Sequence, residues 1–130
     1  MTTNTSFCLA GLLVLVAACN RKDDEPIAGK GGNASLNIVC EHHRPPYVDS
    51  MTVYIKYNAT ELPQSFDDSS KMEGTSKIAH FVGLKKGKYY LYAHGLDRVG
   101  NKIDTISGGT PYEITEEKSI DLTMIVTDGD

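Results

Sequence analysis

The chain is short of cysteine, of long apolar runs and of positive charge, and each shortage excludes something. Its 130 residues contain three cysteines, Cys8, Cys19 and Cys40. Cys8 lies inside the leading apolar stretch and Cys19 ends it, so a domain built from the remainder holds Cys40 alone and has no internal disulfide. Such a domain must be held by its core, and Cys40 falls at an alternating apolar position where a thiol serves as a small buried hydrophobe. The longest uncharged apolar run, Phe7 to Ala18, has 12 residues. As a helix it would span about 18 Å against a hydrocarbon layer of about 30 Å. That length suits the core of a signal peptide better than a membrane span, although Met1 to Ser6 supply no Lys or Arg. With 13 basic and 17 acidic residues the formal charge is −4. The single basic cluster, Lys85-Lys86-Gly87-Lys88, reads as a solvated turn, so no nucleic-acid partner is expected. Glycine-rich phosphate loops and the alternating acids of an EF-hand are also missing, and no cofactor is expected.

What the first quarter does contain is an address. Val16-Ala17-Ala18-Cys19 resembles the bacterial lipobox, which implies that residues 1–18 are a lipoprotein signal peptide and that Cys19 carries fatty acyl chains such as palmitate. Each buried methylene contributes about 0.8 kcal/mol, so several chains anchor a protein where one is reversible. Lys22-Asp23-Asp24-Glu25 resembles the export signal of Bacteroidota lipoproteins. That resemblance implies the outer leaflet of the outer membrane, facing the cell exterior; the alternative is a plain charged linker. Residues 19–33 are expected to form the lipidated cysteine and a flexible tether, rich in Gly and charge, reaching roughly 20 Å.

From Ala34 onward apolar residues recur with period two: Ala34, Leu36, Ile38 and Cys40; Met51, Val53, Ile55 and Tyr57; Ala79, Phe81 and Leu84; Tyr89, Leu91 and Ala93; Ile120, Leu122, Met124 and Val126. Each set is the inward stripe of a half-buried strand. Shorter strands are expected near Lys102 to Ile106 and Pro111 to Thr115, with Val99-Gly100-Asn101 and Gly108-Gly109 as turns. No segment carries a helical stripe. About seven short strands over residues 34–127 predict an all-β domain, a two-sheet antiparallel β-sandwich of immunoglobulin-like kind, with a small barrel as the other option. The run Gly83-Leu84-Lys85-Lys86-Gly87-Lys88-Tyr89-Tyr90-Leu91-Tyr92-Ala93 resembles the turn and strand of transthyretin-like domains of the carboxypeptidase-regulatory type. Val53-Tyr54-Ile55-Lys56-Tyr57 is similar to another core strand of that family. The resemblance implies a non-catalytic accessory domain and transfers no activity.

Candidate chemistry is sparse. His42 and His43 end the first strand before Pro45-Pro46, and imidazoles are common metal ligands. Neighbours on a strand point to opposite faces, so the pair could share an ion only where the strand has broken down; Glu41 or Glu61 would complete the set. The structural alternative is a surface His43 and a His42 that closes the end of the core with a hydrogen bond to a loop. His80 and His94 fall out of phase with the core and should face outward. If Phe81 pairs with Tyr89 or Leu91 across the Lys85-Lys86 turn, His80 lies opposite Tyr90 or Tyr92. Tyr54, Tyr90 and Tyr92 should share the outward face as an aromatic strip able to bind a glycan or a protein. Asp67-Asp68 stand in a polar loop where acids mark solvation or a weak calcium site. Asp49-Ser50-Met51 and Asp104-Thr105-Ile106 resemble the O-glycosylation acceptor of Bacteroidota, which implies modification at Ser50 and Thr105. No nucleophile and base, or pair of flanking carboxylates, can be read, so an enzyme is not expected. The sequence points to a lipid-anchored binding or accessory module at the bacterial outer membrane, with a metal-binding lipoprotein as the alternative.

Overall fold

The computed structural model describes residues 25–42, 48–72, 75 and 77–128. Cys19, Lys22, Asp23, Asp24 and His43 lie outside these residues. The period-two stripes become strands with alternating burial: β1 (Lys30–Glu41), β2 (Ser50–Tyr57), β3 (Asp68–Lys71), β4 (Ala79–Leu84), β5 (Gly87–Val99), β6 (Lys102–Ile114), β7 (Ser119–Ile125) and β8 (Thr127–Asp128). Among the described residues there is no helix. The strands form two sheets, one of order β4-β1-β7 and one of order β3-β2-β5-β6-β8.

The inward stripes meet in a single apolar cluster. Leu36, Ile38, Cys40, Phe81 and Leu84 come from the three-stranded sheet; Val53, Ile55, Tyr89, Leu91, Ile106 and Ile114 come from the five-stranded sheet. No buried residue of this core is polar or charged. Each large aliphatic or Phe side chain removed from water contributes about 1.5–3 kcal/mol, which is the term that holds a domain without disulfides. Cys40 is fully buried, and burial pushes its thiol pKa up to about 11. That keeps it protonated and inert, as its place in the stripe led us to expect.

Four features differ from the sequence expectation. The sheets are not purely antiparallel, because β7 pairs with β1 in parallel, from Ser35↔Ser119 to Glu41↔Ile125. β7 follows β6 of the other sheet, so the chain crosses over the end of the sandwich before it reaches β1, and such a crossover allows the same strand direction. The Lys85-Lys86 turn does not join a hairpin. β4 pairs with β1 and β5 pairs with β2 and β6, so the turn carries the chain from one sheet to the other. Gly83 (φ +69°) and Gly87 (φ +144°) bracket it, and a Cβ at Gly87 would come 2.7 Å from the Ala28 nitrogen. His80 therefore lies opposite Asn37, not Tyr90 or Tyr92.

The other two differences concern glycine. Gly108-Gly109 sits inside β6, where Ala93↔Gly108 and Tyr92↔Gly109 continue the ladder. The glycines admit close neighbours: a Cβ at Gly108 would stand 2.4 Å from the Ile125 carbonyl oxygen, and one at Gly109 would stand 2.5 Å from Tyr90 Oη. The fold also starts before Ala34. β1 begins at Lys30, and Ala28 and Gly29 are buried. Gly29 N–H donates to Tyr89 Oη at 3.0 Å, and Tyr89 Oη donates to the Lys85 carbonyl at 2.7 Å. Asn58, in the left-handed region at φ 55°, accepts from Ala28 N–H at 2.8 Å. The expected tether is thus docked from residue 25 onward, with Glu25 ion-paired to Lys88 at 3.2 Å.

Candidate binding face

The outward face of the five-stranded sheet follows from its register. Thr52 lies between Lys71 and His94, and His94 faces Ser107. In the next row Tyr54 lies between Ser69 and Tyr92, and Tyr92 faces Gly109. Residues one row apart share a face only at steps of two, so a polar row and an aromatic row stand side by side. Tyr54, Tyr90 and Tyr92 do share this face, as expected, and all three are half-buried. Tyr90 lies against Gly109, whose missing Cβ makes room for its ring.

Phe66 completes the aromatic row, and sequence reasoning missed it. Its ring stacks on Tyr92 at 5.7 Å and 15°, and lies 5.3 Å from Tyr54; Tyr54 and Tyr92 are 6.4 Å apart. These separations fall in the range where aromatic pairs attract. Asp67 places Phe66 there. Its backbone N–H donates to the Ile55 carbonyl at 2.9 Å, its Oδ2 accepts from Tyr57 N–H at 2.7 Å, and its Oδ1 accepts from Lys56 Nζ at 3.1 Å. The Tyr57 N–H, with help from the Lys56 ammonium, holds the Asp67 carboxyl below its usual range. The available signal was a lone large aromatic, followed by an acid, in an otherwise polar loop.

Tyr54 divides the face into two grooves. One, of about 480 Å³, is lined by Tyr54, Phe66, Asp67, Asp68 and Ser69. The other, of about 510 Å³, is lined by Ser50, Met51, Thr52, Tyr54, Lys71, Met72, His94, Gly95 and Leu96. The first carries carboxylates, whereas the second carries a lysine, a histidine and, among the described residues, no acid. Met51 and Met72 are buried beneath the second groove.

The remaining candidates are placed as follows. His42 Nδ1 lies 2.7 Å from Asp97 Oδ2, and its Nε2 lies 3.1 Å from Asp128 Oδ1. Its side chain is 7% exposed, so it closes the end of the core, with strand carboxylates as its partners. Neither Glu41 nor Glu61 takes part. Among the described residues no group of three or more His, Cys, Asp or Glu is placed to hold a metal ion. Asp68 pairs with Lys30 at 3.1 Å. His80 and His94 are exposed. Ser50 and Thr105 are exposed and flank Leu96 on either side, through Ser50↔Leu96 and Leu96↔Thr105.

No helix of the described residues is long and apolar enough to cross a membrane. No protein-family model, curated protein or solved structure significantly matches the chain.

Proposed function

We propose that this protein is a lipid-anchored, non-enzymatic binding module displayed on the exterior of a bacterial outer membrane, and that it binds through the outward face of its five-stranded sheet. The observation that carries this reading is the aromatic row Tyr54, Phe66 and Tyr92, held in place by Asp67 and bordered by polar side chains. A face of rings with a few polar groups at hand suits recognition better than solvation. The domain's orientation on its anchor favours the same reading. The chain enters beside Tyr57, Asn58 and Tyr89, while the 510 Å³ groove is lined by Ser50, Met51 and Thr52 at the other end of β2. Six residues of strand separate the two ends by about 20 Å. With Cys19 acylated, the six residues from there to Glu25 reach at most about 20 Å, so the entry end stands near the lipid and the groove points outward.

The transthyretin-like reading of the sandwich is supported by β5: the Gly83 to Gly87 turn leads into Tyr89, Leu91 and Ala93, all fully buried. In the same reading the export stretch is Lys22 to Glu25, and Ser50 and Thr105 are exposed acceptors. The test is fractionation. Cys19→Ala should release the protein from the membrane fraction or stop its processing; unchanged retention with normal processing overturns the anchor. Replacing Lys22, Asp23, Asp24 and Glu25 by alanine should leave the protein membrane-bound but cut its protease accessibility on whole cells. Equal accessibility makes that stretch a linker.

A further inference from the structure

We propose that the groove between Tyr54 and Leu96 takes a carboxylated pyranose ring, the uronate unit of an acidic oligosaccharide. This rests on the binding-module reading and names its ligand class. Charge supplies the first argument. Lys71 and His94 line the groove, and among the described residues no carboxylate does. The Lys71 ammonium has no hydrogen bond or ion pair to another described residue, whereas Lys30, Lys56, Lys88, Lys102 and Lys118 each have a carboxylate partner. Asp49, the acid next to the groove in sequence, is engaged by Arg98 at 3.8 Å. Asp67 and Asp68 lie beyond the Tyr54 ring in the other groove. In a chain of formal charge −4, an ammonium with no partner among the described residues, across β2 from a histidine, is a local anion site in a field that otherwise repels anions.

Shape supplies the second argument, and it favours a sugar over an acidic peptide. The groove lies on a sheet face, where the backbone groups of β2 and β5 are consumed by the Thr52↔His94 ladder. A peptide gains its main-chain hydrogen bonds at a sheet edge and finds none across β2 and β5. A pyranose needs a ring wall for its C–H face and side-chain groups for its hydroxyls. Tyr54 is the wall, and Ser50, Thr52 and His94 are the hydrogen-bonding groups. Lys71 and His94 stand on strands separated by β2, about 10 Å apart, which leaves one ring between them with its carboxylate toward Lys71.

The experiment is a titration of the full chain with trigalacturonate, with the neutral galactotriose and with hexaglutamate, followed by amide chemical shifts and calorimetry. Trigalacturonate should bind about tenfold or more tightly than either other probe, with shifts centred on Thr52, His94 and Lys71. Lys71→Glu should weaken it about tenfold or more, Lys71→Arg should retain it, and Tyr54→Ala should abolish it. Lys71 is exposed, so its two variants should melt with the wild type. Failure to bind trigalacturonate, no effect of Lys71→Glu, or hexaglutamate binding as tightly overturns the inference. Equal, Tyr54-dependent binding of galactotriose overturns the acidic class while leaving the binding module standing. The anchor fails separately, in the Cys19→Ala fractionation.

Discussion

On the outward face of the three-stranded sheet, Asn37 is bonded from both sides. Its Nδ2 donates to Asp121 Oδ1 at 2.8 Å and to Ser119 Oγ at 3.1 Å, while His80 Nδ1 lies 3.0 Å from its Oδ1. On the outward face of the five-stranded sheet, Thr52 occupies a comparable central position between Lys71 and His94, whose side chains have no hydrogen bond or ion pair to another described residue. One face satisfies its polar groups within the protein; the other sets rings beside groups left for an outside partner. A buried or self-paired polar group has little to gain from a ligand, whereas an unspent donor beside an apolar wall does. Histidine is present on both faces, so residue type does not separate them. What separates them is the neighbour that each register supplies.

Both faces rest on one core, and the largest effect should come from breaking it. Leu91→Ala removes a fully buried side chain that lies inward between Tyr90 and Tyr92. Its expected cost is about 2–5 kcal/mol in denaturant unfolding, from lost burial and the cavity left behind. The near-ultraviolet signal of the tyrosine row and the far-ultraviolet signal of the sheets should disappear in one transition. Two separate transitions would mean that each sheet stands alone and that the contrast is between independent units.

Much of this was readable in the chain because strand burial has a period of two. Every expected inward residue from Ala34 to Cys40 is buried, as are Met51, Val53 and Ile55, since alternation needs no knowledge of partners. Partnering was not readable. Lys85-Lys86 has the composition of a hairpin turn, yet the docking of Ala28 against Gly87 makes it an arch between sheets, and nothing local records that contact. Gly108-Gly109 looked like a turn for a similar reason: its glycines answer Ile125 and Tyr90, which lie far away in sequence or across the ladder. His42 was expected either as a metal ligand or as closing the core through a loop; it closes the core through strand carboxylates, Asp97 and Asp128, which lie 55 and 86 positions away. Phe66 went unseen because its position depends on Asp67 folding the loop onto β2.

An intermediate effect should separate the two faces directly. Asn37→Ala should cost about 1 kcal/mol, the usual net value of hydrogen bonds of this kind, and leave the aromatic near-ultraviolet signal unchanged. Phe66→Ala should cost a similar amount, about 0.5–1.5 kcal/mol for lost ring pairing, and collapse that signal. The double variant should be additive within about 0.5 kcal/mol, because the sites share no partner. A larger coupling in thermal or denaturant unfolding would mean that the faces communicate through the core.

The smallest effect should come from the carboxylate that sets Phe66 on the face. Asp67 has its pKa lowered from 3.8, chiefly by the Tyr57 N–H and also by Lys56. A lowered folded-state value means that its contribution is complete above the unfolded value and fades as pH falls below 3.8 through the folded one. Acidification through that window should therefore loosen the loop and weaken the Tyr54, Phe66 and Tyr92 signal before the sandwich melts. Asp67→Asn keeps an oxygen for the Tyr57 N–H but gives up the charge that Lys56 meets, and this pair is exposed enough to be strongly screened. The variant should thus melt close to the wild type, start with a reduced ring signal at neutral pH, and lose the acid-dependent step. If it keeps that step unchanged, another group titrates, and the order on the aromatic face comes from ring packing alone.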